Sequence, residues 1–458
     1  MKHLSLFKIA SILTFTQREI QQTMALPRHQ LFLFLVAMFV SFADSTVPED
    51  PLRLFHQASP KDKNFIMQST QHVLKLKSFG KLGLVSSSLK MVNVNDYGAH
   101  GDGKTDDTLA FKKAWKVACS SAGAVFVVPQ KSYVLKPITF SGPCKSNIAV
   151  QISGTLEASD NPSDYSGDRT HWIMFHSVQK LSVNGGGTID GNGNIWWQNS
   201  CKRNHKLPCK KAPTALTFYR CNYLTVEDLT IKNGQQMHVS FEESKNVIAS
   251  GLTVTAPEDS PNTDGIHITN TQNIQILNTV IGTGDDCISI ESGSTNVQAT
   301  KITCGPGHGI SIGSLGSGKS KDFVSGVTIN GAKFSGTTNG VRIKTWQGGS
   351  GSASNIKFQN IEMDKVMNPI IIDQNYCDQA TPCKKQKSAV EIRNVLYENI
   401  KGTSASDVGV QFECSEKFPC KGIVLQNVEL EREDGEGAKA SCNSVQLSYI
   451  GDVNPQCP

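Results

Sequence analysis

From Asn222 to the C-terminus, short runs rich in β-branched residues and leucine alternate with polar turn residues, and the alternation repeats. Asn222-Tyr223-Leu224-Thr225-Val226 is followed by Lys245-Asn246-Val247-Ile248, Asn273-Ile274-Gln275-Ile276 and Asn296-Val297-Gln298-Ala299. Gly326-Val327-Thr328-Ile329, Asn355-Ile356-Lys357-Phe358, Asn394-Val395-Leu396-Tyr397 and Gly422-Ile423-Val424-Leu425 continue the series. The aligned apolar positions are 224, 247, 274, 297, 327, 356, 395 and 423, so the intervals are 23, 27, 23, 30, 29, 39 and 28. A period of this size marks a solenoid, propeller or array. Each unit holds two or three very short strands and almost no helix. A propeller blade needs about 40 residues and four strands, so the pattern favours an all-β right-handed parallel β-helix whose inward Val, Ile and Leu stack in ladders.

One segment reads differently. After Met91, a short strand leads into a Gly/Asp loop, and Ala110, Phe111, Ala114, Trp115 and Ala118 recur at helical spacing. Thr105 or Asp106 is expected to cap this helix, which runs to about Cys119 and covers the open N-terminal end of the solenoid. Asp106 and Asp107 are therefore read as capping residues. Upstream, Leu31 to Val40 is an apolar run after Arg28 that ends in Ser41-Phe42-Ala43. It is too short to span a bilayer, which takes about 20 residues, and fits a signal peptide over 1–43. Translation from Met24 is an alternative start. Residues 44–90 read as a pro-segment or flexible arm, and 91–458 as a single catalytic β-helix.

Composition narrows the class. With charged residues at 19% and hydrophobic residues at 38%, the chain is too apolar for a disordered one. The net charge is +5, and residues 44–458 carry 41 basic against 39 acidic side chains, which argues against nucleic acid as partner. Thirteen cysteines, none before Cys119, suit an oxidising compartment. Neighbouring cysteines suggest Cys119–Cys144, Cys201–Cys209, Cys287–Cys304, Cys377–Cys383, Cys414–Cys420 and Cys442–Cys457, with Cys221 left over, buried and reduced. Spacing alone does not fix connectivity. A zinc cluster is the rival reading, but the chain has no CxxC pair.

Four polar clusters interrupt successive repeats: Asn262-Thr263-Asp264, Gly284-Asp285-Asp286, Gly307-His308-Gly309 and Arg342-Ile343-Lys344. Asp264 to Asp286 is 22 residues, Asp286 to His308 is 22 again, and His308 to Arg342 is 34. One coil of sequence becomes about 4.8 Å in space, so the acids should gather on one face with His308 a coil further on. Crowded carboxylates hold a proton near neutral pH, and a protonated acid beside ionised bases is what glycoside hydrolysis requires. Arg342 and Lys344 flank Ile343, so in a strand both face outward together. Each motif alone is an ordinary turn or strand; their conjunction at matched spacing is not.

This ordered set resembles the plant polygalacturonases of glycoside hydrolase family 28. The resemblance also takes in Gly142-Pro143-Cys144, Ile189-Asp190-Gly191 and Asp373-Gln374-Asn375-Tyr376-Cys377, and spans about Val92 to Cys457. It implies that Asp285 is the general acid, that Asp264 and Asp286 activate water, and that His308 tunes Asp285. Arg342 and Lys344 would bind the galacturonate carboxylate, with Asn262, Gln374 and Tyr376 lining the groove. It implies inversion, no cofactor and no metal. The expected protein is a secreted cell-wall monomer, without a membrane span, that acts on pectin, with endo cleavage favoured. The alternatives are a β-helix that binds pectin without turnover, a calcium-dependent pectate lyase, and a hydrolase of xylogalacturonan or rhamnogalacturonan. Trp196-Trp197 is read either as a sugar platform or as packing. Lys202, Arg203, Lys206, Lys210 and Lys211 are read either as a solvated loop or as an attractor for polyanionic pectin.

Overall fold

A computed structural model of the chain describes residues 89–379 and 383–458. The expected signal peptide and nearly all of the expected arm lie outside the described residues. The first described strand, Lys90–Asn93, begins at the last position assigned to that arm.

The recurring Asn and Gly of the sequence are turn residues in the left-handed region. Asn246, Asn273, Asn296, Asn355 and Asn394 have φ of 58°, 58°, 54°, 57° and 57°. Asn tolerates this conformation because its short side chain bonds locally, whereas most L-residues are strained there. Tyr223, at φ 57°, is the exception in the series. Once the turn is fixed, the next apolar residue must point inward. Leu224 pairs with Val247, Val247 with Ile274, Ile274 with Val297 and Val297 with Val327. The column continues through Ile356, Val395 and Ile423, so each aligned sequence position is a stacked, buried pair. The asparagines stack as well: Asn273 Nδ2 donates to Asn246 Oδ1 at 3.1 Å, and Asn296 Nδ2 to Asn273 Oδ1 at 2.8 Å.

These coils form a right-handed parallel β-helix with two sheets. One has twenty strands, and some of them, such as Gln272–Gly282, pair along their two halves with two different strands of the preceding coil. The other has eleven: β1 (Ile138–Ser141), β2 (His171–His176), β3 (Thr214–Tyr219), β4 (Val239–Glu242), β5 (Ile266–Thr269), β6 (Ile288–Ile290), β7 (Ile310–Leu315), β8 (Asn339–Trp346), β9 (Asn368–Tyr376), β10 (Val408–Glu413) and β11 (Lys439–Asn443). They stack in chain order, all parallel. Inside this sheet Phe175, Phe218 and Phe241 stack at 5.4 Å between successive rings.

Helix α1 (Thr108–Cys119) caps the N-terminal end, with Phe111 against Phe126 and Trp115 against Phe140. Its cap differs from expectation. Asp107 is the N-cap residue, but its buried carboxylate turns away to accept the His100 and Gly101 amides. Asp106 instead accepts from the Thr108 amide. Helix α2 (Asn194–Gln198) was not read from the sequence; one turn is too short to show a period. It carries Trp196 and Trp197, both buried, so they serve packing: Trp197 Nε1 donates to the Gly234 carbonyl and Trp196 meets Tyr165 edge-on. All six suggested disulfides are present, and Cys221 is buried and free.

The left-handed turn at Asn273 predicts the effect of two substitutions. Asn273→Ala loses both ladder bonds and leaves at positive φ a residue without the local side-chain bonding that lets Asn tolerate it, and should destabilise by about 1–3 kcal/mol. Asn273→Gly loses the same bonds without the backbone strain, so its denaturant midpoint should lie above that of Asn273→Ala. Equal midpoints would contradict the strain argument.

Candidate active site

Three consecutive coils place the site. Ile266, Ile288 and Ile310 are register partners across β5, β6 and β7. Asp264, Asp286 and His308 each precede one of them by two residues and so share a column, which is why both intervals are 22. The coils approach closely enough to demand glycine at two positions. A Cβ on Gly284 would lie 2.0 Å from the Ser260 carbonyl, and one on Gly309, at φ 84°, would lie 2.0 Å from that of Asn339. These contacts draw the acid-bearing turns and His308 together.

Asp286 is the anchor. It is 1% exposed, and its Oδ1 accepts from Arg342 NH2 at 2.7 Å and Ser311 Oγ at 2.8 Å. Its Oδ2 accepts from Lys344 Nζ at 2.8 Å. The two cations face the same way because Ile343 between them is fully buried. Arg342 Nε also donates to Ser311 Oγ at 2.9 Å. Burial works against the Lys344 ammonium, but Asp286 more than compensates and raises its pKa. A buried carboxylate between two cations is tolerable where an isolated one is not.

The other two acids differ. Burial pushes Asp264 well above the ordinary carboxylate range, and the charges of Asp285 and Asp286 add to it. Burial also acts to raise Asp285, but the His308 hydrogen bond and charge, together with Lys344, outweigh it and hold Asp285 low. His308 Nδ1 lies 3.1 Å from Asp285 Oδ1, and this partner raises the imidazole pKa. Asn262, itself at φ 55°, places Nδ2 at 3.3 Å from Asp285 Oδ2. Of the two, Asp264 therefore holds a proton the more readily and Asp285 gives one up the more readily.

These groups line a cavity of about 430 Å³ together with Tyr376. Lys344 Nζ sits 5.4 Å from the Tyr376 ring centroid. Gln374 does not belong to it. Strand β9 alternates, Gln374 points inward with no exposure, its Nε2 donates to the Val390 carbonyl, and its Oε1 accepts from the Ser415 amide. Its role is to tie coils together. Two further groups on the groove face were missed. His267, 2.8 Å from Ser289 Oγ, is pushed down to about 4 by burial, and Glu291 is pushed up to about 7 by burial. Only the outward direction of His267 was legible in principle. Ser240, His267, Ser289, Ser311 and Arg342 are one register column, so the outward assignment of Arg342 carries back to His267.

Asp285, Asp286 and His308 offer three ligand atoms within 4.8 Å of one another. The set does not suit a divalent cation, because both Asp286 oxygens already hold Arg342 or Lys344. Of the basic loop, Lys202 is paired with Asp378 and Arg203 with Asp259.

Residues 119–454 match the family model for glycosyl hydrolases family 28. The chain is 62% identical over 381 residues to a polygalacturonase of Malus domestica, covering 82% of this chain and 81% of the relative. It is 60% identical over 373 residues to Polygalacturonase-2 of Solanum lycopersicum, covering 81% of each. Among solved structures, an endo-xylogalacturonan hydrolase from Aspergillus tubingensis superposes with a TM-score of 0.67 at 24% identity, over 79% of this chain and 100% of that one. The polygalacturonase of Erwinia carotovora gives 0.61 at 22% identity, over 80% and 99%. The chain belongs to glycosyl hydrolase family 28, and is a glycoside hydrolase built on its β-helix.

The Asp264 environment makes a stability prediction. Between about pH 4 and its raised pKa the folded protein binds a proton that the unfolded chain has lost, so stability falls as pH rises through that range. Asp264→Asn removes this term. Its Tm should exceed that of the parent by an amount that grows as pH rises from about 4 through the raised pKa and vanishes below about pH 4. Parallel Tm curves would contradict burial as the source of the shift.

Proposed function

We propose that the protein hydrolyses 1,4-α-D-galacturonosidic linkages of pectic polygalacturonate, cutting within the chain and inverting the anomeric centre. The observation that carries this is the placement of Arg342 and Lys344 beside the acid cluster. A paired cation site next to a proton-holding carboxyl suits a sugar that brings its own carboxylate.

The steps follow from the electrostatics. A substrate carboxylate drawn to Arg342 and Lys344 offsets the Lys344 charge, which together with the larger effect of His308 lowers Asp285. The proton held by Asp264 then passes to Asp285. That single transfer creates an acid and a base together. Asp285 donates to the glycosidic oxygen as the C1–O bond breaks. Asp264 and Asp286 take a proton from the water that attacks C1. His308 and Asn262 orient the Asp285 carboxyl, and Tyr376 flanks the uronate beside Lys344.

The curated relatives are plant polygalacturonases, and this supports the same linkage as substrate. Six disulfides, and no helix among the described residues long and apolar enough to cross a membrane, support work outside the cell, in the wall. The acids and cations come from one chain, in keeping with action as a monomer.

Incubation with polygalacturonate in the presence of a chelator tests the reaction class. New reducing ends should form without the ultraviolet absorbance of unsaturated sugars, and Asp285→Asn should lower kcat by about 10²–10⁴-fold. Absorbance, loss of activity on chelation, or an Asp285→Asn variant of unchanged rate would contradict the proposal.

A further inference from the structure

Lys202 and Asp378 are 176 residues apart in sequence, yet Lys202 Nζ donates to both carboxylate oxygens of Asp378, at 2.6 and 2.8 Å. Their positions in the fold make this contact informative. Lys202 lies before β3, on the flank where chain segments enter the groove sheet. Asp378 lies after β9, on the flank where they leave it. Between β3 and β9 are six inter-strand steps, or about 30 Å along the helix axis at the usual spacing. Asp264, Asp285, Asp286, His308, Arg342 and Lys344 all come from the coils in between. Both residues line the catalytic cavity. The ion pair therefore joins the two flanks of the groove sheet at the cavity that holds the acids.

Both ends are pinned. Lys202 follows Cys201, which is bonded to Cys209, and Arg203 donates to Asp259 on the turn that leads to Asn262 and Asp264. Asp378 follows Cys377, which is bonded to Cys383. The crossing itself is weak by comparison. The two side chains are 41% and 49% exposed, and such pairs exchange readily with water and are screened by salt. A bridge with disulfide-anchored ends and a labile centre can part to admit an internal stretch of polymer and re-form above it. A polyanion under a re-formed bridge is not free to leave sideways after one cut.

We infer that the Lys202–Asp378 pair is a strap that retains the polygalacturonate chain between cleavages, so that one encounter yields several cuts. This rests on the endo-hydrolytic reading above and assigns it a mode of attack.

The test compares the parent with Lys202→Ala, Asp378→Ala and the exchanged pair Lys202→Asp/Asp378→Lys, on long polygalacturonate at low conversion. Reducing ends are counted against viscosity loss, and product sizes are resolved. The parent should release several reducing ends per viscosity-lowering event, with short oligomers present from the start. Each single variant should lower that ratio several-fold and shift early products to long fragments. The exchanged pair should restore it. The Asp378→Ala variant separates the strap from simple substrate attraction. If Lys202 only attracted substrate, freeing it from Asp378 would leave the ratio unchanged or raise it, and the strap would be overturned. An unchanged ratio in both single variants would also overturn it while leaving endo hydrolysis intact. Monosaccharide as the sole early product of the parent would overturn the endo reading itself.

Discussion

In-register stacking of parallel coils is the constraint from which the rest follows. Each turn is fixed by a residue that accepts the left-handed region, Asn or Gly in most coils. That choice sets which side chain enters the core, and the ladder from Leu224 to Ile423 is the result. With the phase of every coil fixed, an equal number of residues per coil converts directly into a column of neighbours. Asp264, Asp286 and His308 are such a column. The close contacts at Gly284 and Gly309 show how little freedom is left where the acids sit.

Stacking alone would concentrate negative charge in a buried place, which is unfavourable without partners. The structure offsets this in two ways. Asp286 is held between Arg342 and Lys344 with Ser311 as a third donor. Asp264 keeps a proton. The consequence is a site whose charge balance is altered by the arrival of one more carboxylate. In the proposed mechanism a uronate substrate alters it in the direction that loads Asp285, whereas a neutral sugar does not. Substrate choice and acid catalysis are in this view one electrostatic property of the site.

Much of this was legible in the chain. The β-helix, the aligned core positions, α1, the disulfide partners and the four motifs all depend on local periodicity or short spacing, which sequence carries well. What was not legible depends on orientation or long-range contact. Gln374 sits in a motif with Tyr376 two residues on, and alternation alone would put both on one face; a register shift between β8 and β9 just before Tyr376 leaves Gln374 inward and Tyr376 at the groove. The capping role of Asp107 was lost because its carboxylate serves the preceding loop instead of the helix. His267 and Glu291 carry no motif and acquire their altered acidity chiefly from burial. The Lys202–Asp378 pair joins two disulfide-pinned loops across six inter-strand steps, and no spacing rule connects them.

The central claim is a division of labour: Asp285 donates the proton while Asp264 and Asp286 activate water on the other side of the scissile bond. Time-resolved proton NMR of the anomeric signals during polygalacturonate cleavage tests it most directly. Direct attack by water predicts that new reducing ends appear first in the β configuration and only then equilibrate to α. New ends in the α configuration from the outset would require a covalent intermediate on one of the carboxylates, and would contradict the account.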